Sequence, residues 1–163
     1  MASGIMSEAI LIIASVVIAT SIAGVVMNQV GVFQSTFTAT TESQKDIILT
    51  DLKVVYASGK VNVPASNSYI NVWIKNVGVN PIVNNNKTDV YFGPIGSVKN
   101  YPMNKIKTED TWRWNSPLPE PTWQISNTHS INITDAQITT GVTYQLTVTT
   151  PNGVSDEYIF TLS

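Results

Sequence analysis

Side-chain catalysis needs a nucleophile held beside a base, and this sequence offers little of either. His129 is the only histidine. It lies in a run of small polar residues and reads as a solvated turn or strand position rather than a general base. The carboxylates Glu109-Asp110 and Asp156-Glu157 are adjacent pairs. On a strand, neighbours point to opposite faces, so neither pair forms a dyad by itself. The chain has no cysteine, which removes thiolate chemistry, cysteine-bound zinc and disulfides. Calcium-loop spacing, a phosphate-binding glycine loop and a zinc pattern are missing from the sequence. The expectation is a protein that is not an enzyme and needs no cofactor or metal.

The conspicuous cluster is aromatic. Trp112, Arg113, Trp114 and Trp123 fall close together, flanked by Pro117, Pro119 and Pro121. Trp and Arg are favoured interface anchors, and Trp stacks on sugars. These four residues are therefore a candidate surface for docking a partner or a glycosylated layer. An equally physical reading puts Trp112 and Trp114 on one face of a strand, plugging a core, with Trp123 closing over them. Both readings stay open on sequence alone.

Two regions must position such groups. Ala9 to Met27, AILIIASVVIATSIAGVVM, carries neither a charge nor an amide. About 20 apolar residues in a helix cross the hydrocarbon layer of a bilayer, whereas buried helices of soluble proteins keep polar positions on some face. The segment predicts a transmembrane helix. No Lys or Arg precedes it and it exceeds a usual signal core, so cleavage by a secretory peptidase is not expected. Glu8 stands at the entrance, where a carboxylate favours a helix N-terminus or could meet the amine of another chain. Ser15, Ala19 and Ala23 recur every fourth residue, a small-residue strip of the kind that lets helices pack closely in lipid. Val26, Val30, Phe33 and Phe37 continue an apolar stripe beyond the span. The spacing predicts a helical stalk to around Thr41, with residues 1–45 as span and stalk.

From Asp46 the period changes to two, so residues 46–163 form the second domain. Ile48, Leu52, Val54 and Tyr56 share one strand face on this reading, as do Ile70, Val72 and Ile74. Val142, Tyr144, Leu146 and Val148 alternate with polar residues, and Tyr158, Phe160 and Leu162 make the inward face of the last strand. One buried and one wet face is the pattern of antiparallel sheets. Pro151-Asn152-Gly153 signals a hairpin. Shorter strands are expected at Thr88–Phe92, Asp110–Trp114 and Ser130–Thr134. Seven or so strands over ~115 residues predict an all-β, Ig-like β-sandwich.

Charged residues make up 12 % of the chain, about half the usual share, and Thr, Asn and Ser take their place. That surface suits an exterior location. With only a short tail before the span, the second domain is expected outside as well. A net charge of −2 without a basic stripe leaves no footprint for nucleic acid. Asn86-Lys87-Thr88 and Asn132-Ile133-Thr134 fit the glycosylation sequon, making Asn86 and Asn132 candidate acceptors.

SEAILIIASVVIA (Ser7 to Ala19) and VWIKNVGVNPI (Val72 to Ile82), with the helix-then-β layout, resemble archaellins and their membrane-bound relatives, among them the flagella-related stator proteins. In the element VWIKNVG, Gly78 is expected to supply the positive φ of the turn after the strand. The resemblance implies an Ig-like domain between the cytoplasmic membrane and the surface (S-) layer. It also implies a homo-oligomer that, with archaellar protein F as partner, anchors the archaellum's rotary motor. Filament-forming members carry a basic leader before a cleaved glycine. Met1-Ala2-Ser3-Gly4 has no basic residue, so processing is not expected and a filament-forming archaellin or type IV pilin-like subunit stands second. A membrane-tethered glycan-binding module stands third.

Overall fold

The computed structural model describes residues 2–61, 68–115 and 122–163. The prolines at 117, 119 and 121 therefore lie outside the described residues. The chain divides into two compact units, Met1–Gln44 and Lys45–Ser163.

A single helix, α1 (Ala2–Leu49), begins the chain. Its large apolar side chains are exposed all round, from Ile5 through Ile13 and Ile18 to Phe33 and Phe37. So much apolar surface is stable only against lipid or other helices. The hydroxyls within it turn back on their own backbone: Ser15 Oγ donates to Ile12 O at 2.8 Å, and Ser21 Oγ to Val17 O at 2.8 Å. That removes the unpaired donors an apolar medium would penalise. The helix passes Thr41, its expected end, because Glu42, Gln44 and Lys45 are good helix formers and nothing breaks the ladder. It stops at Thr50, whose N–H and Oγ1 both donate to Asp46 O, at 3.0 and 2.7 Å. Ile48, expected on a strand, thus sits in the last helical turn and is 79 % exposed.

Ten strands follow among the described residues: β1 (Leu52–Lys60), β2 (Tyr69–Asn76), β3 (Ile82–Val83), β4 (Asp89–Pro94), β5 (Lys99–Tyr101), β6 (Thr111–Trp114), β7 (Thr122–Trp123), β8 (Thr128–Thr134), β9 (Thr143–Thr149) and β10 (Ser155–Thr161). They pair antiparallel in two four-stranded sheets, ordered β1-β2-β8-β6 and β10-β9-β4-β5, with β3-β7 as a small third pair. This is an Ig-like antiparallel fold. Alternation places Ile70, Val72 and Ile74 of β2 and Tyr144, Leu146 and Val148 of β9 in one core. Phe92 stacks on Tyr144 at 5.1 Å in its centre. The turn after β9 uses Gly153 at φ 88°, as the Pro-Asn-Gly signal predicts.

Strand β1 departs from strict alternation at one place. A bulge between Val54 and Tyr56 shifts the β1 register, so Leu52 and Val54 point inward while Tyr56 is 55 % exposed. The extra residue is Val55, which the period of two cannot accommodate. At the sandwich edge, β1 is tied to β10 by Asp156, which accepts from Val54 N–H at 2.8 Å and pairs with Lys53 Nζ at 2.8 Å. That hydrogen bond and charge raise the pKa of Lys53 above its ordinary value.

Candidate functional site

The loop after β2 is densely hydrogen-bonded, and it holds the end of α1. Val79 and Asn80 donate their backbone N–H groups to Leu49 O, at 3.0 and 3.2 Å, and Val77 and Gly78 donate theirs to Asp51 O, at 3.1 and 3.0 Å. A helix C-terminus leaves its last carbonyls without partners; this loop supplies a donor pair to Leu49 and another just beyond it. Asn76 organises the loop from a fully buried position. Its Nδ2 donates to Asn80 O at 2.9 Å and Trp123 O at 3.1 Å, and its Oδ1 accepts from Gly78 N–H at 3.0 Å. Each polar atom of that amide is satisfied.

Gly78 is needed here for space, not for a positive φ as the sequence suggested. It is not among the residues in the left-handed region. A Cβ at 78 would lie 2.7 Å from Leu49 O and overlap Asp51 N. From the other side Asn152, at the β9-β10 turn, donates to Thr50 Oγ1 at 2.7 Å. The element KNVGVN is thus a socket for the last turn of the helix. Beside it opens a cleft of about 440 Å³ lined by Asp46, Thr50, Asn80, Asn84 and Asn152.

Trp112, Trp114 and Trp123 belong to the core, with exposures of 0 %, 6 % and 0 %. Trp114 meets Trp112 and Trp123 edge-on, at 5.3 and 5.7 Å. β7 carries Trp123 over the pair, and its Nε1 donates to Asn127 O at 3.2 Å. Their rings are thus unavailable as a docking surface, while Arg113 is half-buried on the outward face of β6. His129 is also not the solvated residue expected. It is half-buried on β8, with its ring 5.4 Å from Trp123. Asp135 accepts a hydrogen bond from Tyr101, whose pKa is driven upward first by burial and then by that bond.

On the helix, Glu8 lies beyond the first turn, outside the range where the terminal dipole acts strongly. Ser15, Ala19 and Ala23, and likewise Val26, Val30, Phe33 and Phe37, are exposed on α1. Phe33 and Phe37 stack at 6.2 Å. Asn86 is exposed at a one-turn 3-10 helix before β4. Asn132 is the opposite case: it is 4 % exposed on β8, and its Nδ2 donates to Asn71 Oδ1 at 2.9 Å. An amide held there cannot accept a glycan in the folded domain.

A family model described as archaeal-type flagellin matches residues 2–160. The chain belongs to the archaeal-type flagellin family. Among solved structures, this family member is similar to the archaellum periplasmic stator protein FlaG from Sulfolobus acidocaldarius. The two are 26 % identical over 69 % of this chain and 100 % of that one, with a TM-score of 0.58. A chain of the FlaF and FlaG stator complex from the same organism gives 26 % identity, 69 % and 90 % coverage, and a TM-score of 0.57. The archaeal flagellum of Methanospirillum hungatei matches 97 % of this chain and 93 % of its own, with a TM-score of 0.64 at 16 % identity; that likeness is one of fold. Among curated proteins, none matches the sequence. The socket element VWIKNVG needed the structure to reveal its task. Its Asn-x-Gly pattern was visible in the sequence, but the helix end it receives was not.

Proposed function

We propose that this chain is a static anchor of the archaellum: α1 crosses the cytoplasmic membrane, and the β domain stands outside, beneath the S-layer. There it self-assembles and pairs with a FlaF-like chain. The observation that carries this reading is the 26 % identity to the stator protein over 69 % of this chain, against 16 % to the assembled flagellum. The exposed apolar helix fits the anchor, since each large side chain from Ile5 to Phe37 needs a nonaqueous neighbour. The socket fits it too. A load-bearing domain must not fray where its helix ends, and backbone N–H groups on Leu49 O and Asp51 O resist that. The role needs no chemistry, and the protein is not an enzyme on this reading. Exposed Asn86 is its candidate glycan acceptor, and the strip Ser15, Ala19, Ala23 is the candidate helix-packing face.

A filament subunit is the second reading. It is favoured by the match to an assembled flagellum over 97 % of the chain, which includes the helix. Shearing cells and weighing the two fractions separates them. An anchor stays with washed membranes, and protease added to intact cells with a permeable surface layer removes its β domain. Recovery of the chain as a main component of sheared filaments would establish the second reading instead.

A further inference from the structure

The register of the two sheets sorts charge by face. Outward rows across the first sheet run Lys53–Lys75–Thr128, then Tyr56–Trp73–Ser130, then Ser58–Asn71–Asn132–Arg113. Lys60 and Tyr69 begin a fourth row, and Lys107 Nζ lies 4.8 Å over the Tyr69 ring. No carboxylate occupies these rows. Tyr56 and Trp73 form an aromatic pair at 5.5 Å in their middle. Lys53 is paired with Asp156 at the sheet edge, the only ion pair among the described residues, so Lys60, exposed, and Lys75 and Arg113, half-buried, have no acid beside them among those residues.

The outward rows of the second sheet run Ser155–Thr149–Asp89, then Glu157–Thr147–Tyr91, then Ile159–Gln145–Gly93. They hold two acids and no base. Tyr91 and Ile159 are exposed there, at 39 % and 53 %. One face of the domain is basic with an aromatic centre; the opposite face is acidic with exposed apolar side chains.

We infer that the basic face of one copy docks on the acidic face of the next, so that the β domains assemble front to back. The occupant is a second copy because the chain carries both complementary charges, on faces that cannot meet within one molecule. Each joined copy leaves its other face free, which makes the contact heterologous and open-ended. Four strands at ~4.8 Å spacing and about seven residues long cover roughly 450 Å² per face. Two such faces bury about 900 Å², less than a standard stable interface. The pairing is therefore weak in dilute solution and grows strong when the chains are confined together. Salt opposes it. This inference rests on the self-assembly part of the proposed function and specifies its surface.

The absence of native cysteine permits a direct test with the full chain reconstituted in lipid vesicles. Ser130→Cys marks the middle of the basic face and Thr147→Cys the middle of the acidic one. Mixed, the two variants should form a disulfide-linked dimer several-fold more than either alone, and less as salt rises. Lys75→Glu with Arg113→Glu on the Ser130→Cys chain should remove that product. Asp89→Lys with Glu157→Lys on the Thr147→Cys chain should restore it, which also shows that the altered chains fold. Cross-linking of Ser130→Cys with itself, or no mixed product, overturns the front-to-back contact. If amine-reactive cross-linking still finds oligomers in that case, self-assembly survives on another surface and the basic face belongs to an acidic partner. If it finds monomers, the self-assembling anchor fails as well.

Discussion

Replacing Asn76 by Asp changes one amino group into an oxygen without altering shape, and the socket should register it sharply. The new side chain keeps the acceptor for Gly78 N–H but loses the donor that serves Asn80 O and Trp123 O. Two hydrogen bonds at about 1 kcal/mol each disappear. A carboxylate then faces two carbonyl oxygens in a site with no exposed surface, and a buried, uncompensated charge costs a further few kcal/mol. The sum is about 4 kcal/mol at neutral pH, a large share of a domain's stability.

The charge supplies its own control. Repulsion by the carbonyls raises the folded-state pKa of the introduced Asp above its unfolded value near ~3.9. A raised carboxylate pKa penalises the fold at high pH and relaxes as the acid protonates. Urea unfolding of the full chain in mild detergent, followed by tryptophan fluorescence, should show Asn76→Asp far weaker than wild type at pH 7. Most of the gap should close towards pH 4, while Asn76→Ala should be weakened at both. An Asp variant as stable as wild type at pH 7, or one equally impaired at both pH values, would refute the account of the socket.

Gly78→Ala should destabilise the β domain by about 1–3 kcal/mol in the same assay, because its methyl group has no room beside Leu49 O. Trp114→Ala should cost about 3–5 kcal/mol as a core truncation. Finding the fold unchanged while partner binding is lost would return the tryptophan to the surface. Tyr101 has a raised pKa in the fold, so its contribution is present below about pH 10 and is lost as pH climbs above that. Tyr101→Phe should be weaker at neutral pH, with its buried partner Asp135 left short of a donor, and should lack that alkaline loss. Peptide mass spectrometry of native protein should find any N-glycan at Asn86 and none at Asn132.

The helix was legible because its apolar run is unbroken, and most of the strands because burial imposes a period. Nineteen residues without a charge or an amide read as one long apolar helix, and Val142 to Val148 alternate as a half-buried strand must. The reading failed where a single residue broke the count. Val55 is an insertion in the ladder, so Tyr56 turned outward, and Ile48 joined the helix because Lys45 and its neighbours propagate one. Strands β3 and β7 are two residues each, too short to show a period. Strand order was beyond reach, since β2 pairs with β8 across half the domain. The tryptophans posed a different difficulty. Type and spacing made them equally fit for surface or core, and only the lid formed by β7 decides between them. Asn132 shows the same limit, because a sequon says nothing about whether its amide is already engaged.

The bulge in β1 bears on how such a domain survives crowding. An open sheet edge is a template on which another chain can add a strand, the first step towards cross-β fibres. Here Val55 kinks one edge and Asp156 occupies its Val54 N–H. The edges at β6 and β5 span only four and three residues. Chains packed side by side can therefore touch without templating one another, which spares a dense array from irreversible aggregation.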